Sequence, residues 1–268
     1  MPSVTIFQAI TIGIVEGLTE FLPISSTGHM ILTSSFLQVD PKDIEFTKLF
    51  EVCIQLGAIM AVVVGYRKKF LRQGMDFYKK LLIAVSPALV LGFLLNKKID
   101  ALLESNLTVA WTMLIGGVAL LFVDNLFRNP NQNEAEKVTP KQALTIGFWQ
   151  VLAMVPGMSR SACTIVGGMQ QKLTRKAAAE FSFFLAVPTM CAATGYKLLK
   201  AAKNDVSLII SPDHLTLLLV GNVVAFITAM LAIKTFIGFL NSHGFRVFGI
   251  YRVIMGLIVL GLIYSGRL

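Results

Sequence analysis

The chain has 268 residues, 55% of them hydrophobic and only 15% charged, with a mean hydropathy of +0.71 and a net charge of +9. Soluble domains carry about 25% charged residues, so this composition excludes an ordinary soluble enzyme and points to a polytopic membrane protein. The basic excess lies in short runs between apolar segments, such as Tyr66-Arg67-Lys68-Lys69, the pattern of cytoplasmic loops beside anionic lipid; no nucleic acid partner is expected.

The N-terminal MPSVTIFQAI has no basic stretch ahead of its apolar residues, so no cleaved signal peptide is expected. Segment 4–38 fits badly as an ordinary span, because FLPISSTGH interrupts it. It reads as helix, a break at Pro23, a polar turn and a second short helix, and such a break is tolerated in lipid only inside protein or a wet cavity. We read it as a re-entrant hairpin. Spans follow at about 49–65, 81–95 and 107–127, with a basic loop at 66–80. RNPNQNEAEKVTP at 128–140 reads as a solvated connector, with Thr139-Pro140 starting a helix. Segment 141–171, broken by VPGMSRSACT, is the second re-entrant hairpin, and spans at 177–199, 215–240 and 247–265 complete the chain.

A shift of 134 residues lays Gln8-Ala9-Ile10-Thr11-Ile12-Gly13 over Gln142-Ala143-Leu144-Thr145-Ile146-Gly147, five identities in six. The chain is therefore expected to be an all-α membrane helix bundle of two repeats, 1–134 and 135–268, forming one integrated domain. Each repeat holds a hairpin and three transmembrane helices. An odd number of crossings inverts the second half, and inverted repeats bring paired broken helices together at one polar site. Fifteen of the 24 Lys and Arg, Arg252 among them, fall on the side of the 66–80 loop and eight opposite, Lys42 among them. That bias places the mouth of the first hairpin on the extracytoplasmic face.

The chemistry concentrates in the two polar turns. Glu16 and Glu20 are spaced i, i+4 and share a helix face, where two carboxylates need a shared proton, a divalent cation or an arginine. The competing reading leaves both wet among headgroups. Ser25, Ser26 and Thr27 can cap the second helix, whose N-terminus suits an anion; Ser26 is the candidate nucleophile and Ser25 and Thr27 candidate binding groups. His29 suits acid–base work. In the second turn Arg160, flanked by Ser159 and Ser161, offers a planar fork for phosphate, or else a structural ion pair with Glu16 or Glu20. Cys53, Cys163 and Cys191 have no disulfide or metal spacing. These parts suit phosphoryl transfer; an anion transporter would use many of them.

EGLTEFLPISSTGH and PGMSRSACT, with FEVCIQLGAIMAVV, EFSFFLAVP and AIKTF, resemble the undecaprenyl-pyrophosphate phosphatase family of the bacitracin-resistance type. Ala162 and Cys163 stand where that family usually has Gly and Ala. The resemblance implies hydrolysis of undecaprenyl pyrophosphate to undecaprenyl phosphate and phosphate, recycling a cell-wall lipid carrier in the bacterial plasma membrane. It also implies a divalent cation, Mg²⁺ or Ca²⁺, and a site facing the periplasm or cell exterior. On these positions Glu16 and Glu20 would bind the cation, Arg160 and the amides after Ser159 the pyrophosphate, and Thr164 would add a hydrogen bond. Ser26 would attack the phosphorus or orient a water, with His29 moving protons. A flippase for undecaprenyl phosphate is the rival reading. Membrane lipid and a second copy of the chain are the remaining candidate partners.

Overall fold

The computed structural model describes residues 4–39, 44–103, 105–128 and 130–268. Lys42, assigned above to an extracytoplasmic loop, lies outside them. Among the described residues the ordered elements are helices, apart from one isolated bridge between Gln132 and Leu173. Segment 4–38 becomes α1 (Ile6–Thr19) and α2 (Ser26–Phe36). The spans that follow are α3 (Ile44–Gly65), α5 (Met75–Leu94) and α7 (Asn106–Leu126), with the short helices α4 (Arg67–Phe70) and α6 (Asn96–Leu103) between them. The second half runs through α8 (Pro140–Leu152), α9 (Arg160–Gln170), α10 (Arg175–Asn204), the short α11 (Ser207–Ile210), α12 (Pro212–His243) and α13 (Arg246–Tyr264).

Local chemistry explains the ends of these helices. Thr5 caps α1 with its hydroxyl while Gln8 returns a side-chain bond to the Thr5 N–H, and Thr139 and Gln142 do the same for α8. The Gln8 amide then reaches the Leu37 carbonyl at 2.9 Å, and the Gln142 amide the Gln171 carbonyl at 3.0 Å, closing each helix pair at its mouth. Both pairs of contacts keep the 134-residue spacing. The expected 66–80 loop is shorter than the sequence suggested, because α5 already starts at Met75. Gly74 is its N-cap, Asp76 sits in the first turn, and Lys80 pairs with Asp76 at 2.6 Å, so polar residues extend the apolar span.

Six helices, α3, α5, α7, α10, α12 and α13, are long and apolar enough to cross a membrane. Large apolar side chains such as Phe93, Phe122, Leu219, Leu231 and Ile254 point outward, as lipid-facing surface requires, and the chain is a multi-pass membrane protein. The two hairpins are held by helices from the opposite half: α1 packs on α12, and α8 on α5. A Cβ on Gly17 would meet Thr228 Oγ1, the Ala225 carbonyl oxygen at 2.5 Å and the Ala229 nitrogen at 2.8 Å. A Cβ on Gly147, which lies 134 residues after Gly13, would strike the Ala84 carbonyl oxygen of α5. Glycine is what lets the backbones touch. A ring cluster fills the interior between them: Phe21 meets Phe183 edge-on at 5.2 Å, and Phe184 meets Tyr66, Phe70 and Phe77.

Candidate active site

The breaks between α1 and α2 and between α8 and α9 are the two polar turns. Ser25 and Ser159 occupy equivalent places as N-caps of α2 and α9, and both adopt positive φ, 71° and 70°. A left-handed serine costs about 1–3 kcal/mol, a strain kept where the surroundings over-determine the turn. Each caps with its hydroxyl: Ser25 Oγ accepts from the Gly28 N–H and Ser159 Oγ from the Ala162 N–H. Gly157 has φ +89° and sits against the Val109 carbonyl, where no other residue would fit. The N–H groups of Ser26, Thr27, Arg160 and Ser161 meet no acceptor among the described residues, so each turn presents a helix N-terminus with open donors.

One chain of contacts joins the turns. The Ser26 hydroxyl donates to Glu20 Oε2 at 2.8 Å, and Arg160 Nη2 donates to Glu20 Oε1 at 2.9 Å. Glu20 and Arg160 are both largely buried, so the pair lies in a low-dielectric interior where a charge without a partner is costly. Arg160 Nη1 donates to the Ser182 carbonyl at 3.1 Å, and the guanidinium lies 5.9 Å from the Phe21 ring. Thr164 returns its hydroxyl to the Arg160 carbonyl at 2.8 Å and meets Ser182 Oγ at 2.6 Å. Ser161 donates to the Leu22 carbonyl at 2.7 Å, with Ser159 beside it at 3.0 Å. Their hydroxyls therefore staple the second turn to the first. Thr27 is half-buried and its hydroxyl bonds to nothing among the described residues.

Two groups of opposite charge are left over. Among the described residues, both oxygens of Glu16, which is fully buried beside the Glu20 carboxyl, meet no N–H or hydroxyl donor, and Arg160 Nε meets no acceptor. Glu20 and Glu51 are the acidic neighbours of Glu16 and Arg160 its basic one. A buried carboxyl pair without a cation, and a guanidinium N–H without an acceptor, are complementary to a cation and an oxyanion bound together. No group of three His, Cys, Asp or Glu is arranged around a metal position among the described residues. Two carboxylates nonetheless fit a Mg²⁺- or Ca²⁺-type ion, which takes hard oxygen donors and can complete its shell with phosphate oxygens and water.

His29 is held at both ring nitrogens. Nδ1 lies 2.7 Å from the Ser25 carbonyl and Nε2 2.6 Å from the Tyr251 hydroxyl. Facing a carbonyl, Nδ1 carries the proton, which leaves Nε2 as the acceptor from Tyr251. Ser26 turns to Glu20 instead. On α8, Gln150 stands where Glu16 does on α1, accepting from Thr189 at 3.1 Å through Oε1, and its Nε2 meets no acceptor among the described residues. Cys163, at the place of His29, is buried.

Sequence reasoning missed four residues. Ser182 and Glu51 lie within motifs noted above, yet neither type is distinctive; Glu51 accepts from Ser34 at 3.3 Å beside the hairpin mouth. Tyr251 and Arg252 lie on α13. Arg252 was counted with the cytoplasmic helix ends, but it is fully buried, and an arginine inside an apolar span was itself a readable signal.

Outside the spans, burial lowers the affinity of Lys69 for its proton, but the hydrogen bond and charge of Glu180, with Glu136, outweigh it and raise the lysine above its ordinary value. The bond to Glu180 is 2.8 Å long and ties α4 to α10.

Residues 9–258 match the model of the family described as bacitracin resistance protein BacA. The chain is 58% identical over 254 residues to a protein of Flavobacterium johnsoniae named undecaprenyl-diphosphatase, covering 94% of each. Proteins of the same name from Bdellovibrio bacteriovorus and Aquifex aeolicus are 50% and 43% identical, covering at least 95% of each chain.

Proposed function

We propose a mechanism on this premise: the chain belongs to the bacitracin resistance protein BacA family, and it is a membrane hydrolase, an undecaprenyl-diphosphatase. Its reaction splits the phosphoanhydride of undecaprenyl diphosphate to give the monophosphate and inorganic phosphate. The transporter reading is set aside, since relatives across the whole chain carry the hydrolase name and the second turn has no acids.

The observation that carries the mechanism is the unbroken line Ser26–Glu20–Arg160 across the two turns. Arg160 releases Glu20 and takes the diphosphate, its Nε and Nη donors replacing an internal ion pair by a ligand of the same charge sign. The open amides of Ser26, Thr27, Arg160 and Ser161 hold the remaining oxygens. Glu20, released from Arg160 and already bonded to the Ser26 hydroxyl, draws the proton from Ser26. Ser26 Oγ then attacks the terminal phosphorus, the bond to the bridging oxygen breaks, and undecaprenyl phosphate leaves with the proton that Glu20 returns to that oxygen, which restores Glu20 as a base. In the second half Glu20 takes a proton from water as the water attacks the phosphoserine, and the proton returns to Ser26 Oγ as inorganic phosphate departs. His29 fixes the first turn through its bond to the Ser25 carbonyl.

Glu16 and Glu20 would hold a divalent cation, which when bound neutralises charge on the phosphate oxygens. The two halves would be inverted relative to one another, with α1–α2 and α8–α9 as re-entrant hairpins meeting inside the bilayer of the plasma membrane. The reciprocal packing of α1 on α12 and α8 on α5, and the matched caps, support that reading. The basic 66–80 side would face the cytoplasm and the first hairpin's mouth the periplasm or exterior.

Ser26→Ala tests the covalent step, with rapid quenching of wild type and variant on labelled diphosphate. A phosphorylated wild-type enzyme and turnover reduced at least about 1,000-fold in the variant are expected. Near-wild-type turnover would leave attack by a water and remove the nucleophile.

A further inference from the structure

Arg252 is a buried cation for which no acidic partner is found among the described residues. It is 0% exposed, yet the polar site it adjoins is served by a different arginine. Its five N–H donors end on five backbone carbonyls. Nη1 donates to Met158 at 2.9 Å and Pro23 at 3.4 Å, Nη2 to Gly157 at 2.8 Å and Thr112 at 3.2 Å, and Nε to Met113 at 3.4 Å. Pro23 belongs to the first polar turn, Gly157 and Met158 to the second, and Thr112 and Met113 to α7. The side chain reaches them through a slot of small residues on α7: a Cβ on Gly116 would strike Nη2, and one on Gly117 would lie 2.9 Å from the Arg252 Cβ.

We propose that Arg252 is a positioning residue for hydrolysis, a clasp that holds the Ser26–Glu20 turn in register with the Arg160 turn. The inference rests on the reading that the diphosphate binds between those turns. In a trans peptide the C=O and the following N–H point in opposite directions, and none of the described peptides is cis. Drawing the Met158 carbonyl toward Arg252 therefore turns the Ser159 N–H away from it. That N–H meets no acceptor among the described residues, unlike those of Ile24 and Met158, which bond to Leu22 and Val155. The clasp thus sets both the distance between the turns and the direction of a donor at the start of α9. A lysine would keep the charge, but its three donors from a single nitrogen cannot span five carbonyls in a plane.

Arg252→Lys, Arg252→Ala and Arg160→Ala are assayed side by side for phosphate release from undecaprenyl diphosphate, with melting temperature followed in the same detergent. Misplacing catalytic groups costs transition-state alignment more than binding, so Arg252→Lys is expected to lose about 10- to 100-fold in kcat with KM nearly unchanged. Arg252→Ala is expected to regain activity on adding guanidinium ions and not ammonium. Wild-type kcat in Arg252→Lys, a loss confined to KM, or failure of guanidinium to relieve a folded Arg252→Ala overturns the clasp. If Arg252→Ala does not fold, the kcat-against-KM split of Arg252→Lys decides alone. Full activity in Arg160→Ala would strike down the site reading itself, whereas an inactive Arg160→Ala beside a fully active Arg252→Lys would remove only the clasp.

Discussion

Both oxygens of Glu20 accept hydrogen bonds, one from Ser26 and one from Arg160, while neither oxygen of its neighbour Glu16 meets an N–H or hydroxyl donor among the described residues. In the proposed mechanism that division gives the two acids different work, Glu20 as base and Glu16 as the main ligand of the proposed cation. Replacing Glu20 by Gln keeps the shape and removes the base, so kcat is expected to fall about 100- to 10,000-fold at all metal concentrations. Glu16→Gln should instead raise the Mg²⁺ concentration giving half-maximal activity by at least about tenfold, with much of kcat recovered at saturation. A metal titration of both variants separates the roles, and identical responses would refute the division. The residue types at this site were legible in the sequence, since acids and an arginine have few reasons to sit in lipid. Their pairing was not. Spacing put Glu16 and Glu20 on one face, but nothing in the chain order said that Ser26 would turn to Glu20, that His29 would turn to Tyr251, or that the Ser159 and Ser161 hydroxyls would bind Leu22.

At the scale of elements, the site depends on two helices lying nearly backbone to backbone. Gly17 stands between Glu16 and Glu20 and faces Thr228, Ala225 and Ala229 of α12, two of those contacts being backbone atoms that cannot rotate away. Gly17→Ala is expected to push α1 off α12 and cut kcat by about 100-fold, through displacement of Glu20 rather than loss of a functional group. Wild-type kcat in a folded Gly17→Ala would show that the contact does not set the site. The caps of α1 and α8 were legible because Thr–x–x–Gln is a local signal, and so was the break at each proline. The start of α5 was not, because Asp76 and Lys80 make a helix turn polar enough to read as loop. The α4 clasp gives a further expectation. Lys69→Met should lower stability by about 1 kcal/mol, since Lys69 is half exposed but leaves the buried Glu180 without its cation. The lysine is raised in the fold, so its contribution is complete below the ordinary lysine value and fades as pH climbs through the raised one. Wild-type and variant melting temperatures should therefore converge only in strong alkali.

For the molecule as a whole, six residues of sequence suggest the proposed repeat, and the matched caps, the positive-φ serines and the packing of α1 on α12 and of α8 on α5 support it. The two turns carry unequal chemistry: one holds Ser26 beside the two acids, the other the arginine. The proposed orientation predicts that Lys97→Cys is labelled on intact cells by a membrane-impermeant maleimide, and that Asn133→Cys is labelled only after the membrane is opened, in a chain without its native cysteines. The reverse pattern would turn the site to the cytoplasm. The central claim is the joint between the halves, Ser26–Glu20–Arg160. Its most direct measurement is phosphate release from undecaprenyl diphosphate by purified wild type and Arg160→Ala, with and without chelator. The account predicts cation-dependent release by wild type and a loss of about 1,000-fold or more in Arg160→Ala. Comparable release by the folded variant would contradict it.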